Sequence, residues 1–140
     1  MRLVVDTNVI VAALRSPSGA SSALLQQAIE GRFQPLLTVS LALEYEHACL
    51  TPELRTASQL EAYEIEAVIS AFVAVSEPVE VHYLWRPQLR DPADEMVLEA
   101  AINGRAEALV TFNQRDFGIV PRRFGIAMAT PQAILRRLGQ

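Results

Sequence analysis

Lysine is absent from this chain, and all 12 basic residues are arginine. A Walker-type phosphate loop, a Schiff-base enzyme and a response-regulator receiver domain each need a lysine at the site, so none of them can be built here. Cysteine occurs once, at Cys49, and histidine twice, at His47 and His82. That leaves no disulfide framework and no plausible set of zinc ligands. Any metal must be held by oxygen. The sequence has no run of roughly eighteen apolar residues, which excludes a spanning helix, and Asp6 interrupts the N-terminal apolar run before the core of a signal peptide could form. A soluble cytoplasmic protein is expected.

What is present suits one domain over residues 1–140, since 51% hydrophobic content and a mean hydropathy of +0.20 are ample for a core. The net charge of −4 is unevenly spread. Residues 1–80 carry four arginines against ten acids, and residues 81–140 carry eight against six. The C-terminal part is therefore the expected face for a polyanion.

Short β-branched runs alternate with helical patterns. Leu3 to Val5 reads as a strand buried on both faces, followed by Asp6-Thr7-Asn8 and a helix over Val9 to Leu14. Ser21 or Ser22 can cap a helix over Ala23 to Glu30, ended by Gly31. Phe33 to Thr38 reads as a second strand, and Ser40 can cap a helix through Ala48. Thr56 to Val75 predicts one long helix. A short strand is expected over Val79 to Val81 with Tyr83. Asp91 can cap a helix with Pro92 in its first turn and Gly104 at its end. Ala108 to Phe112 and Ile126 to Ala129 predict two more strands, separated by a loop, and Thr130-Pro131 opens the last helix. This alternation predicts an α/β fold with a parallel sheet covered on both faces, whose ligands bind outside the carboxyl ends of the strands.

The four aspartates, Asp6, Asp91, Asp94 and Asp116, each sit at the edge of an apolar run, whereas the twelve glutamates mostly read as solvated helix faces. Capping alone, worth about 1 kcal/mol, accounts for Asp91. Asp94 could also cap, but three and four residues on are Val97 and Leu98, so it shares the stripe that faces the sheet. Three cap-capable residues in succession weaken a purely capping role for Asp6. Glu44 shares a face with Leu41, Tyr45 and Ala48, yet that helix is apolar nearly all round and Glu46 competes with it on periodicity. Asp116 and Asn113 both fall just past a strand end. Acids brought together there would stay ionised only beside a cation, and Mg²⁺ or Mn²⁺ fits such oxygen ligands. Two such ions about 4 Å apart would support phosphodiester hydrolysis by an activated water.

Four segments carry a resemblance: Val4-Val5-Asp6-Thr7-Asn8-Val9, Ser40-Leu41-Ala42-Leu43-Glu44-Tyr45, Asp91-Pro92-Ala93-Asp94, and Val110-Thr111-Phe112-Asn113-Gln114-Arg115-Asp116-Phe117. In order and spacing the chain resembles the PIN-domain nucleases, among them the VapC-like toxins of bacterial toxin–antitoxin systems. The resemblance implies a three-layer α/β/α fold with a central parallel sheet of four or five strands. It also implies that Asp6, Glu44, Asp94 and Asp116 bind metal and catalyse, which selects Glu44 over Glu46. Many relatives have an aspartate where this chain has Asn113, so the fourth acid is assigned to Asp116. Thr7, Asn8, Asp91, Thr111 and Asn113 would support these acids by hydrogen bonds. Single-stranded RNA as substrate, Mg²⁺ or Mn²⁺ as cofactor, a homodimer and a small antitoxin that blocks the site are further implications.

Phosphate contact is expected from arginine, and Arg86, Arg90, Arg115, Arg122 and Arg123 are the candidates. Tyr83, Trp85 and Phe112 could stack on bases, although Phe112 at a strand end is expected in the core. Two other classes compete. A silent RNA- or partner-binding module would use the acids for stability alone. A haloacid-dehalogenase-type phosphatase would need a second aspartate where Asn8 stands, and a lysine. A housekeeping RNA-processing nuclease is a further alternative to the toxin.

Overall fold

The strands are the short apolar runs, and they are buried because both faces of the sheet are covered. Leu3, Val4 and Val5 are all buried, as are Ala108, Leu109 and Val110, and consecutive buried positions in a strand require a layer on each side. The computed structural model describes residues 1–82 and 88–139. The strands within them are β1 (Arg2–Val5), β2 (Gln34–Leu37), β3 (Glu77–Pro78), β4 (Ala108–Val110) and β5 (Ala127–Ala129). They form one five-stranded sheet in the order β3-β2-β1-β4-β5, with parallel pairing throughout. The α/β architecture expected from the sequence is thus the one observed.

Parallel neighbours need helical crossovers, and the chain supplies α1 (Thr7–Arg15), α2 (Ala20–Ile29), α3 (Val39–Cys49), α4 (Pro52–Ser58), α5 (Ala62–Val75) and α6 (Pro92–Asn103). After β4 come two single turns, α7 (Gln114–Phe117) and α8 (Val120–Arg123), and the chain finishes with α9 (Pro131–Arg137). Helix α6 packs on β1, β2 and β4, and α5 packs on β2. Tyr45 of α3 meets Phe72 of α5 edge to face, ring centroids 6.0 Å apart, in the core between helices.

Several expectations from the sequence are corrected. Helix α3 is capped by Thr38 and not by Ser40: Thr38 Oγ1 accepts from the Leu41 amide at 3.1 Å, because β2 ends at Leu37 and starting there turns Leu41 and Tyr45 inward. Gly19, not Ser21 or Ser22, occupies the cap position of α2, and Ser21 is buried within the helix. The long helix over 56–75 is two helices. Gln59 adopts a left-handed φ of 60°, and Glu64 Oε1 then accepts the Glu61 amide at 3.0 Å to start α5. β3 lies at Glu77–Pro78, before the expected strand, and Tyr83 lies outside the described residues. The loop after β4 contains α7 and α8.

Candidate active site

The strand order reverses between β1 and β4, so the crevice at a parallel sheet's switch point opens between their carboxyl ends. Asp6 follows β1, and its amide donates to the Val110 carbonyl at 2.9 Å, which fixes it against the end of β4. Its side chain, 5% exposed, does not cap α1 although it occupies the cap position. It turns instead to Thr111. The Thr111 hydroxyl donates to Asp6 Oδ2 at 2.7 Å while accepting from the Asn113 amide at 2.9 Å and, more weakly, from Asn8 Nδ2 at 3.4 Å. A hydroxyl has one donor and two acceptor positions, and here all three are used.

Burial raises the pKa of Asp6 above the ordinary carboxylate value; the Thr111 hydrogen bond and the amides of Thr7 and Asn8 oppose that rise, and the charge of Asp91 adds to it. Beneath the site, the Tyr45 hydroxyl donates to the Val5 carbonyl, one residue before Asp6. Burial, then the charge of Asp6, pushes its own pKa well above the ordinary tyrosine value, so it stays a neutral donor. Burial likewise pushes Cys49 up to about 12, which keeps this buried thiol inert.

Opposite Asp6 stands the start of α6. Asp91 Oδ1 accepts the Ala93 amide at 2.9 Å, an N-cap ahead of Pro92. That aims Asp94, in the first turn, into the crevice. Two adjoining hollows meet at Asp94. One, of about 430 Å³, is bordered by Asp6, Thr7, Asn8, Arg15, Asp94 and Asn113. The other, of about 530 Å³, is bordered by Arg90, Asp91, Asp94, Arg115 and Asp116 among others. Desolvation raises the pKa of Asp94 to about 6, and the charges of Asp6, Asp91, Asp116 and Glu95 add to the rise.

The remaining expected residues divide between these surfaces. Asp116 sits on α7, whose single turn is anchored by the buried Phe117, and Gly118 closes the turn with a φ of 55°. Asn113 borders the Asp6 hollow and Asp116 the adjoining one, so the two occupy different places beside Asp94. Glu44 is half-buried on α3 while Glu46 is exposed, but Glu44 borders neither hollow. Arg90 and Arg115 border the larger hollow, Arg122 borders a third one of about 450 Å³, and Arg123 is exposed away from all three. Arg86 and Trp85 lie outside the described residues. Phe112, expected in the core, is 50% exposed: Thr111 turns into the site, so alternation sends the next side chain outward.

Sequence reasoning missed two residues. Glu95, 4% exposed, is not a solvated helix acid; its Oε1 accepts the amides of Gln88 and Leu89 at 2.6 Å each and holds the segment beside Arg90 against α6. Arg15 borders the Asp6 hollow from the far end of α1. No periodic or capping signal marks the first, and the second is legible only as a helix-end arginine.

The donors present suit a hard divalent cation. Asp6 and Asp94 offer carboxylates, and two buried oxygens next to them, Thr7 Oγ1 and Asn8 Oδ1, have no hydrogen-bond partner. Among the described residues no three His, Cys, Asp or Glu side chains form a group able to hold an ion by themselves. That is compatible with Mg²⁺, which takes one or two carboxylates and keeps several waters. Also among the described residues, no helix is long and apolar enough to cross a membrane.

The chain is similar in fold to a chain of VapBC2 from Rickettsia felis, solved bound to a DNA fragment from their promoter. The TM-score is 0.58 at 15% identity, over 93% of this chain and 98% of that one. A comparison with curated proteins gives no match. The family described as PIN domain matches residues 2–115, from the first residue of β1 to the turn beyond β4 that carries Asn113, and the chain belongs to the PIN-domain family.

Proposed function

We propose that this protein is a metal-dependent endoribonuclease, one domain spanning residues 1–140, that hydrolyses single-stranded RNA as the toxin of a toxin–antitoxin pair. The observation that carries the reading is the pairing of Asp6 with Asp94 across one hollow at the sheet's switch point. PIN domains are generally nucleases, and the likeness to a VapBC2 chain supports the toxin role and a small antitoxin as partner. The homodimer and the cytoplasmic location are part of the same proposal.

Asp6 and Asp94 would hold Mg²⁺ or Mn²⁺ in the hollow they share, with Asp116 in the adjoining hollow and Glu44 on α3 as the further acids of the proposed site. The bound ion supplies positive charge that offsets the phosphodiester and lowers the pKa of a water. The chain's own part is positioning. Thr111 fixes Asp6 by holding one carboxylate oxygen, Asn113 extends from the same network, and Asp91 caps the helix that aims Asp94. Arg90 and Arg115 flank the acids and neutralise RNA phosphates.

A titration of RNA cleavage with Mg²⁺ and Mn²⁺, comparing wild type with Asp6→Asn, tests the reading. Metal-dependent cleavage abolished by the substitution supports it, and equal activity in both proteins removes the site. One observation favours a second reading, a PIN-fold binding module without activity: no three acids converge among the described residues. A folded protein that binds RNA and leaves it uncut under Mn²⁺ selects that reading.

A further inference from the structure

Helix α1 turns one stripe toward the Asp6–Asp94 hollow. Asn8, Val11, Ala12 and Arg15 border it at the three- and four-residue spacing of a single helix face. Arg15 is seven residues beyond Asn8, about 10 Å farther along the axis. It is exposed, and among the described residues no carboxylate pairs with its guanidinium. A cation in the last turn complements the helix dipole wherever it points. Here it borders the hollow that holds the two acids, so that hollow is acidic at one end and basic at the other.

That pattern fits a strand of phosphodiesters lying along the stripe. At the acidic end a phosphate needs a cation between itself and the carboxylates. At the basic end a neighbouring phosphate meets a guanidinium directly, with the fork geometry suited to two phosphate oxygens. The separation along α1 keeps these two phosphates distinct. We infer that Arg15 binds a backbone phosphate of single-stranded RNA next to the one cut, and so sets the strand's register over Asp6 and Asp94. The inference rests on the nuclease reading above and adds to it a substrate-positioning residue.

The test is steady-state cleavage of a single-stranded oligoribonucleotide under Mn²⁺ across a series of salt concentrations, with wild type, Arg15→Gln and Arg15→Lys. Loss of a charge-assisted contact made equally in ground and transition states should raise KM roughly tenfold in Arg15→Gln and leave kcat within about twofold. The slope of log(1/KM) against log salt should become shallower by about 0.7, the value for one single-strand phosphate, and Arg15→Lys should keep the wild-type slope. Substrates carrying one neutral methylphosphonate at successive positions supply a readout that a change in helix stability would not move. One such position should weaken wild type and have no further effect on Arg15→Gln. Equal KM and equal slope in wild type and Arg15→Gln would overturn the Arg15 assignment while leaving the nuclease intact. A wild type that cuts no RNA overturns the nuclease reading and this one with it.

Discussion

The Thr111 hydroxyl donates to Asp6 Oδ2 at 2.7 Å, joining the carboxyl ends of two neighbouring strands at the point where the sheet's order reverses. Its two acceptor positions take the Asn8 amide group and the Asn113 backbone, so its proton has one destination. Threonine is also stiff at χ1. The result is a carboxylate presented in one orientation.

Thr111→Val should therefore lower metal affinity by about 10- to 100-fold, as loss of a group that orients a ligand does. Asp6 would also lose an interaction that now opposes its raised pKa. A Mn²⁺ titration of cleavage measures the shift, and Thr111→Ser should recover most of it. Unchanged metal dependence in Thr111→Val would remove the orienting role.

Asp94 gives a pH prediction. Its pKa of about 6 in the fold exceeds the ordinary 3.8, so the folded protein holds its proton more tightly than the unfolded chain does. That contribution to stability is present below about pH 4 and is lost as pH rises through about 6. The group is partly solvated, so the effect is modest. Thermal melts of metal-free wild type and Asp94→Asn between pH 4 and 8 should show a falling component in the first that is missing in the second. Above pH 6, added Mg²⁺ should raise Tm in wild type more than in Asp94→Asn. A wild-type component that rises over this window and disappears in Asp94→Asn would contradict the sign.

Tyr45→Phe should cost about 1–3 kcal/mol, because it strands the buried Val5 carbonyl without its donor. Urea unfolding reads that loss. Since Val5 precedes Asp6, the same variant should need more metal for half-maximal cleavage. A wild-type midpoint in both measurements would show that the hydroxyl contributes nothing.

Gly104→Ala tests packing at the opposite end of α6. A Cβ there would stand 2.8 Å from the Ala100 carbonyl and 3.0 Å from both Leu36 Cδ1 and Val79 Cγ2. Overpacking of that kind costs about 1–3 kcal/mol. A lower urea midpoint with kcat unchanged at 25 °C is expected, and a stability equal to wild type would mean that the neighbours yield freely.

How far the sequence foretells this molecule depends on whether a feature is local. The runs at Leu3 to Val5 and Ala108 to Val110 announce themselves because strands covered on both faces are apolar without interruption, and Asp91-Pro92 and Thr130-Pro131 announce helix starts because cap and proline adjoin. Thr38 and Ser40 are both hydroxyl caps two residues apart, and only the end of β2 decides between them. Gln59 breaks a helix at a φ that polar composition does not signal. Glu95 looks like any helix acid until the amides of Gln88 and Leu89, brought in from another segment, are seen to need it. In the site, the aspartates at strand and helix ends were legible from their placement. The division of Asn113 and Asp116 between two hollows was not, since it depends on the single turn α7 that separates them, which no local pattern announces.

The sheet's borders have a consequence for assembly. At one border β3 is two residues long and ends in Pro78, which has no amide to offer a further strand; at the other, β5 has three residues. Borders this short and this poor in donors discourage another chain from extending the ladder. Among the described residues, then, the ladder offers little to an incoming strand, and any partner would meet this chain through helix sides or the crevice, so variants on those surfaces, not backbone pairing, should govern binding.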